Sequence, residues 1–295
     1  APSEIIALGA GDKIVGIEQD TKKKVDKGFL PGLADLPVAG SQWEPNYEAI
    51  TQLKPDLVIT LSGGWKPEPS EVQERLAPFG IKVVGLDFYR MDVWPDEIRT
   101  LGKILGREAE SEDYIAHFLD KIALIEKRTE KLSFEQQKKV YFEGTKDYLT
   151  YGGAGYGCGV PQMIRQAGGL DLYSEKPEQY FEVNPEDVAK RNPDVIFKLI
   201  KAGWGAKNTT EFEMVRDAIL NRPELANTNA VKNGHVYILS YDLPADDGKK
   251  FGVIFLSKVL YPDLFADQDP MAFYEDYFRD YLGVELNGVF IYPCN

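Results

Sequence analysis

The first part of the chain alternates between short apolar runs and segments whose apolar residues recur at helical spacing. The runs at 56–61 (DLVITL) and 82–88 (KVVGLDF) are typical of buried strands, and each follows a segment with the periodicity of a helix. Alternation of this kind is typical of a parallel sheet covered by helices. The pattern predicts strands at 13–18, 37–40, 56–61 and 82–88 and helices at 3–10, 46–54 and 69–78.

Residues 95 to 133 contain no strand pattern. Between 111 and 132 the apolar residues recur at the spacing of one helical face, and Ser111 is suited to the N-cap. The apolar face consists of Tyr114, Ile115, Phe118, Leu119, Ile122 and Ile125. The pattern therefore predicts a single helix about 30 Å long.

The alternation of strands and helices resumes after this helix. It predicts strands at 138–144, 194–200 and 235–239 and helices at 159–169, 184–191, 210–221, 247–260 and 270–281. With 295 residues the chain is also longer than most single domains. We therefore predict the α/β class, with two doubly wound α/β lobes at 1–108 and 135–295 joined by a linking helix at 109–134.

One segment of the chain occurs twice. Residues 46–59 (NYEAITQLKPDLVI) and 184–197 (NPEDVAKRNPDVIF) align with an offset of 138 residues. In each copy an Asn can cap a short helix, a Glu lies in its first turn, and a Pro ends the helix before a strand. On the pattern alone, two similar α/β units explain the repeat. The identical pairs are Asn46/Asn184, Glu48/Glu186, Pro55/Pro193 and Asp56/Asp194.

The charge and composition of the chain exclude some partners. Lys and Arg number 34 against 47 acidic residues, a net charge of −13, whereas nucleic-acid binding needs a cationic surface. Cys158 and Cys294 are too few for a zinc cluster or a disulfide framework, and whether they pair is open. No run approaches the ~18 apolar residues of a membrane-spanning helix. We therefore expect neither a nucleic-acid partner nor a spanning segment.

The order of the motifs along the chain resembles that of the helical-backbone (class III) substrate-binding proteins. These proteins serve ABC importers of ferric siderophores, haem and cobalamin. The resemblance covers essentially the whole chain. It is carried by GAGDKIVGIE (9–18), VAGSQWEPNYEAITQLKPDLVIT (38–60), FGIKVVGLDF (79–88), IRTLGKILGRE (98–108), the long helix, GGAGYGCGVPQMIRQAGG (152–169), FEVNPEDVAKRNPDVIF (181–197) and AILNRPELANTNAVKNGHVYIL (218–239).

This resemblance implies a fold, a partner and a location. The implied fold has two α/β lobes joined by one rigid helix, with the ligand in a cleft between the lobes and no prosthetic group. Glu48 and Glu186, one on each lobe, are implied to contact arginines of an ABC permease dimer, which would account for the repeat. The implied protein is a monomer outside the cytoplasm, free in the periplasm or held at the outer face of the cell membrane by a lipid anchor.

Candidate ligand-binding residues lie in loops that follow predicted strands, where sheets of this kind place their sites. Three of the four tryptophans of the chain are in such loops, where they have little local core to fill. A flat, partly apolar ligand is therefore expected, and the basic residues suit carboxylates or the charged rim of a metal chelate. The candidates are Trp43, Trp65, Lys66, Tyr89 and Arg90 in the first lobe and Tyr151, Tyr156, Lys201, Trp204 and Tyr241 in the second.

The sequence leaves several ligands open, among them a ferric siderophore, haem and a corrinoid. A bare metal ion is disfavoured because neither His117 nor His235 has a His or Cys at metal-ligand spacing. Tyrosinate from Tyr151 or Tyr156 remains a way to bind ferric iron directly. A molybdate-type oxyanion, held by backbone N–H groups of GGAGYG (152–157), is a further alternative.

Two other classes of protein compete with a binding protein. A two-lobed enzyme such as a metal chelatase would have a similar layout, but the chain lacks the G-x-S-x-G and P-loop motifs. A chelatase would also need a histidine in its cleft to handle metal and protons, whereas His117 lies on the predicted long helix and His235 opens a predicted strand. An adhesion or scaffold module would bind no small molecule. We therefore expect a carrier and no enzyme.

Overall fold

The structure is a computed structural model that describes residues 1–63, 65–153, 159–243 and 249–293. These residues form two compact units. Unit 1 consists of Ala1–Phe88, Asp92–Ala116 and Glu275–Leu286, and unit 2 of Tyr89–Met91, His117–Tyr274 and Asn287–Asn295. The α/β class predicted from the sequence is confirmed.

The predicted helices form, and so do the predicted strands at 56–61, 82–88, 138–144, 194–200 and 235–239, with further short elements between them. The helices are α1 (Pro2–Ala7), α2 (Gln19–Val25), α3 (Tyr47–Leu53), α4 (Pro69–Leu76), α5 (Trp94–Leu105), α6 (Glu108–Thr129), α7 (Val160–Gln166), α8 (Pro185–Arg191), α9 (Thr210–Leu220), α10 (Asn229–Lys232), α11 (Lys249–Leu260) and α12 (Pro270–Leu282). The strands are β1 (Leu57–Thr60), β2 (Lys82–Gly85), β3 (Lys139–Glu143), β4 (Leu149–Tyr151), β5 (Leu170–Asp171), β6 (Tyr180–Glu182), β7 (Val195–Ile200), β8 (Val236–Ser240) and β9 (Ile291–Tyr292).

Unit 1 is built on a pair of parallel strands. β1 and β2 pair in register from Leu57↔Lys82 to Thr60↔Gly85. Helices α3 and α4 cover one face, where Ile50, Val72, Leu76 and Ile81 form a buried cluster. The carboxyl ends of β1 and β2 therefore lie side by side, and the loops that follow them start at the same edge of the sheet.

Two strands predicted in unit 1 do not form. The segments 13–18 and 37–40 are joined only by an isolated bridge between Ile17 and Val38. Pro37 has no amide hydrogen to donate to a ladder. Gly40 has φ 95° and turns the chain toward α3. The prediction of strands at 13–18 and 37–40 was therefore wrong.

Helix α6 is a single helix of 22 residues. The predicted apolar face is buried at Tyr114, Ile115, Phe118, Ile122 and Ile125, while Leu119 is partly exposed. The helix starts at Glu108, so Ser111 is not its N-cap; the Ser111 hydroxyl instead donates to the carbonyl oxygen of Glu108 at 2.7 Å. The boundary between the two units falls inside α6. The lobe limits at 108 and 135 stay a prediction.

Unit 2 contains a five-stranded sheet in the order β5-β3-β7-β8-β9. The first four strands pair in parallel, and β9 pairs with β8 in the antiparallel direction. Strand β7 is buried along its whole length, as expected of a central strand. One face packs on α9, α10 and the 3-10 turn at Pro223–Leu225, with Phe212, Ile219 and Leu225 in the core.

Candidate ligand-binding and docking residues

The repeated segment folds into the same local structure in both units. The Asn46 side chain accepts a hydrogen bond from the Ala49 N–H at 3.0 Å, and the Asn184 side chain accepts one from the Glu186 N–H at 2.8 Å. Both helices have seven residues and end at a residue with left-handed backbone, Lys54 at φ 49° and Asn192 at φ 52°. Each is followed by Pro-Asp and a parallel strand. The repeat is therefore a repeated helix-to-strand unit.

Glu48 and Glu186 occupy the second position of α3 and α8, where the helix dipole favours a negative charge. Both side chains are exposed. Among the described residues neither makes an ion pair; Glu48 accepts only a hydrogen bond of 3.3 Å from the Gln52 side-chain amide. Each unit thus presents one exposed acid, uncompensated by a cation, at the same place in the repeated structure.

In unit 1 the predicted aromatic residues come together. The rings of Trp43 and Trp65 are in edge-to-face contact, with their centroids 5.4 Å apart, and Trp43 is 51% exposed. Trp65 follows β1, and Trp43 precedes α3. Lys66 is exposed, but its ammonium lies 2.8 Å from the Glu71 carboxylate, which raises the pKa of Lys66 through their hydrogen bond. An anionic ligand group at Lys66 would have to compete with Glu71.

In unit 2 three predicted residues lie along the carboxyl edge of the sheet. The Tyr151 hydroxyl lies 2.9 Å from the position that a Cβ of Gly144 would take, just after β3. Lys201 directly follows β7, and Tyr241 directly follows β8, with the Tyr241 N–H donating to the Ile200 carbonyl at 2.7 Å. Since β3, β7 and β8 are neighbouring strands, these residues are placed in a row along about 10 Å of the sheet edge.

Two other predicted residues are buried. Trp204 is only 5% exposed, and its ring packs on Phe290 with centroids 5.7 Å apart. Tyr89 is also buried, with the Lys249 ammonium 5.0 Å from the centre of its ring. Arg90 is half-buried. Tyr156, Cys158 and Cys294 lie outside the described residues. The ligand-binding roles of all these residues stay predictions.

A buried ionic cluster at the end of β3 was missed in the sequence. Glu143, fully buried, lies 2.9 Å from the Lys198 ammonium and 2.8 Å from the Arg222 guanidinium. Asp147, mostly exposed, lies 3.0 Å and 2.9 Å from the same two cations. Burial raises the pKa of Asp147, but the hydrogen bond and charge of Lys198 and the charge of Arg222 outweigh it and hold that pKa below its usual value. The lysine inside the apolar run of β7, Lys198, was the feature of the sequence from which a buried ion pair could have been inferred.

Across 1–63, 65–153, 159–243 and 249–293, no group of three or more His, Cys, Asp or Glu side chains is placed to hold a metal. No helix in these ranges has the length and apolar character needed to cross a membrane. His117, one of the two histidines, stacks on Phe273 with centroids 4.8 Å apart.

The chain is similar to known proteins in sequence and in fold. The chain is 23% identical to the molybdate-binding protein MolA of Haemophilus influenzae over 94% of this chain and 82% of that protein. It is 25% identical to the high-affinity heme uptake system protein IsdE of Staphylococcus aureus over 70% of this chain and 66% of that protein. Its fold matches the TroA-like periplasmic binding protein FepB from Veillonella parvula with a TM-score of 0.80 at 20% identity, covering 100% and 90% of the two chains.

The family model described as periplasmic binding protein matches residues 4–243. That match spans more than half of the 295 residues. The protein therefore belongs to the periplasmic binding protein family: it is an extracytoplasmic solute-binding protein of the ABC transporter type, and not an enzyme.

Proposed function

We propose that this protein captures a metal chelate with an organic, partly apolar surface, such as a ferric siderophore, haem or a corrinoid, and delivers it to an ABC permease dimer. The observation that supports this ligand class most directly is the pair Trp43 and Trp65, which keeps a large aromatic side chain exposed beside the end of a strand. Exposed tryptophan favours ligands that offer a flat or apolar face. The chelate is transported cargo, and the protein carries no prosthetic group.

The residues that we assign to ligand contact follow a strand or pack against a residue that does. In unit 1 these are Trp43, Trp65 and Lys66. In unit 2 the row of Tyr151, Lys201 and Tyr241 combines aromatic rings with a cation, which suits a chelate whose rim carries carboxylates. A similar protein is named as part of a heme uptake system, which agrees with this class of ligand.

Glu48 and Glu186 are proposed to contact the permease, one on each of its two subunits. Their exposure, their identical helix position and the lack of a neutralising cation among the described residues support this role. An exposed acid that makes no ion pair within its own protein remains available for an arginine of another protein. We propose that the carrier acts as a monomer, free in the periplasm or attached to the membrane through a lipid.

A bare oxyanion such as molybdate is the second candidate ligand. It is favoured by the similarity to a molybdate-binding protein over 94% of the chain. An oxyanion would be bound through N–H and O–H donors and would gain little from tryptophan faces. The two candidates therefore predict different effects of aromatic substitutions.

A thermal-shift screen tests the proposal. A ligand that binds only the folded state raises the melting temperature by mass action, by an amount set by its concentration relative to Kd. We expect an upward shift with haem, with a ferric hydroxamate chelate or with cyanocobalamin, and none with apo-chelator lacking iron. A shift with molybdate alone would replace the chelate by the oxyanion, and chemical conversion of a bound compound would contradict a carrier.

A further inference from the structure

Unit 2 contains a small antiparallel ribbon that the sequence pattern did not predict. Strand β4 pairs with β6 in the register Leu149↔Glu182, Thr150↔Phe181 and Tyr151↔Tyr180. Directly opposite residues of an antiparallel pair project from the same face, with Cβ atoms about 5 Å apart. Tyr180 is therefore placed beside Tyr151, on the same face of the ribbon.

The side chain of Tyr180 has no structural task within its own unit. It is 55% exposed and makes no hydrogen bond, ion pair or ring contact with the part of the chain that the structure describes. Its neighbour Phe181 faces the other way and packs edge-on against Tyr173, with centroids 5.7 Å apart. The strand thus alternates between a residue that holds the ribbon on the core and a tyrosine that is left exposed.

The backbone that carries Tyr180 is held independently of that ring. The Gly152 N–H donates to the Gln179 carbonyl at 3.3 Å, and the Gly153 N–H donates to the Lys176 carbonyl at 3.1 Å. The two segments approach so closely that a Cβ on Gly152 would lie 2.1 Å from the Glu178 carbonyl oxygen. Glycine is therefore required at 152, and the position of Tyr180 is set by main-chain contacts.

We propose that Tyr180 is a further ligand-contacting residue and forms, together with Tyr151, an aromatic face at the ligand-binding edge of unit 2. A single exposed aromatic is ordinary on a protein surface. Tyr180 is instead paired across the ribbon with Tyr151, whose hydroxyl reaches the end of β3. The strand that carries Tyr180 is held in place by its main-chain contacts. The proposal rests on the proposed function and deepens it.

The two-tyrosine face also narrows the chemical class of the ligand. Two tyrosines paired across the ribbon offer apolar and π surface for an organic ring system. A tetrahedral oxyanion has no face to pack on them. The inferred ligand is therefore a chelate or macrocycle whose organic surface contacts the rings of Tyr151 and Tyr180.

The experiment compares Tyr180→Ala, Tyr180→Phe and the control Phe134→Ala, which removes a ring that is 72% exposed elsewhere in unit 2. Each is titrated with haem, a ferric hydroxamate chelate, cyanocobalamin and molybdate, by tryptophan fluorescence and calorimetry. We expect Tyr180→Ala to weaken chelate binding about fivefold or more, whereas Tyr180→Phe and Phe134→Ala stay within about twofold of the wild type. Melting temperatures of the ligand-free variants check that each is folded.

The possible outcomes separate the inference from the proposed function. Chelate binding that Tyr180→Ala leaves unchanged removes Tyr180 from the site but leaves the proposed function in place. Binding of molybdate without any of the three chelates overturns both the aromatic face and the proposed ligand class. A wild-type protein that binds none of the four probes counts against both in the same way.

Discussion

The buried ionic cluster of unit 2 leads to a sharp prediction for Glu143→Gln. The substitution keeps the size of the side chain and removes its charge. In the native protein the Glu143 carboxylate forms an ion pair with the Lys198 ammonium at 2.9 Å. It accepts hydrogen bonds from both terminal nitrogens of Arg222, from the Tyr141 hydroxyl at 3.1 Å and from the Tyr148 N–H at 3.0 Å. A glutamine offers one acceptor oxygen in place of two and turns an NH2 donor toward these donors.

The magnitude follows from the charge balance of the cluster. Lys198 and Glu143 are buried and Arg222 is nearly so, while Asp147 is largely exposed and contributes little by itself. After the substitution two cations share one exposed acid, so one buried charge is left uncompensated. Breaking a buried ion pair from one side costs about 3–5 kcal/mol. For a protein of this size that corresponds to a fall in melting temperature of roughly 6–20 °C.

The assay is urea and thermal unfolding of the variant, followed by circular dichroism and by tryptophan fluorescence. Glu182→Gln is the matched control, since Glu182 is an exposed acid of unit 2 on strand β6. We expect the control to change the free energy of unfolding by less than about 0.5 kcal/mol. A loss below about 1 kcal/mol for Glu143→Gln would refute the account of the cluster as a buried, mutually compensating network.

Three further predictions concern docking, ligand binding and pH. Combining Glu48→Ala with Glu186→Ala should leave ligand affinity unchanged and abolish stimulation of the transporter ATPase, because both acids are exposed and lie on helices rather than in the binding loops; full stimulation would contradict the docking role. Trp65→Ala should weaken chelate binding by about 1–3 kcal/mol in a calorimetric titration if the ring packs on the ligand; unchanged affinity would move the site elsewhere. Burial raises the pKa of Asp171 to about 6. The folded state therefore binds this proton more tightly than the unfolded state, and the protein loses stability as the pH rises from about 4 through about 6. Asp171→Asn should therefore raise the free energy of unfolding at pH 7.5 by up to about 3 kcal/mol. It should also make the melting temperature less dependent on pH between 4.5 and 7.5. If the melting temperatures of variant and wild type depended on pH in the same way, the prediction would be contradicted.

Helices and strands whose apolar residues recur at a regular spacing could be predicted from the sequence, and elements too short to show such a spacing could not. Helix α6 and the buried strand β7 contain enough residues for an apolar pattern to stand out. Strands β4, β6 and β9 contain only three, three and two residues, too few to show any alternation. They form because main-chain hydrogen bonds join segments distant in the chain, which local periodicity does not record.

The same distinction applies to the candidate site. That Lys201 and Tyr241 lie side by side follows from the rule that parallel strands end at one edge, since β7 and β8 are neighbours. The burial of Trp204 and the pairing of Lys66 with Glu71 depend on contacts that the spacing of residues does not reveal. Glu143 and Lys198 face each other because their strands pair in that register, and only the fold defines the register.

Strand β9 lies at one edge of the five-stranded sheet of unit 2. Strand β9 contributes two residues, and its pairing at Ile238↔Tyr292 and Leu239↔Ile291 covers the middle of the outer edge of β8. Strand β8 reads VYILS and is buried throughout. If β9 were deleted or detached, an apolar strand would present unpaired N–H and C=O groups that favour pairing with a second molecule and aggregation. Pairing with β9 therefore leaves this part of the β8 edge unavailable to a second molecule.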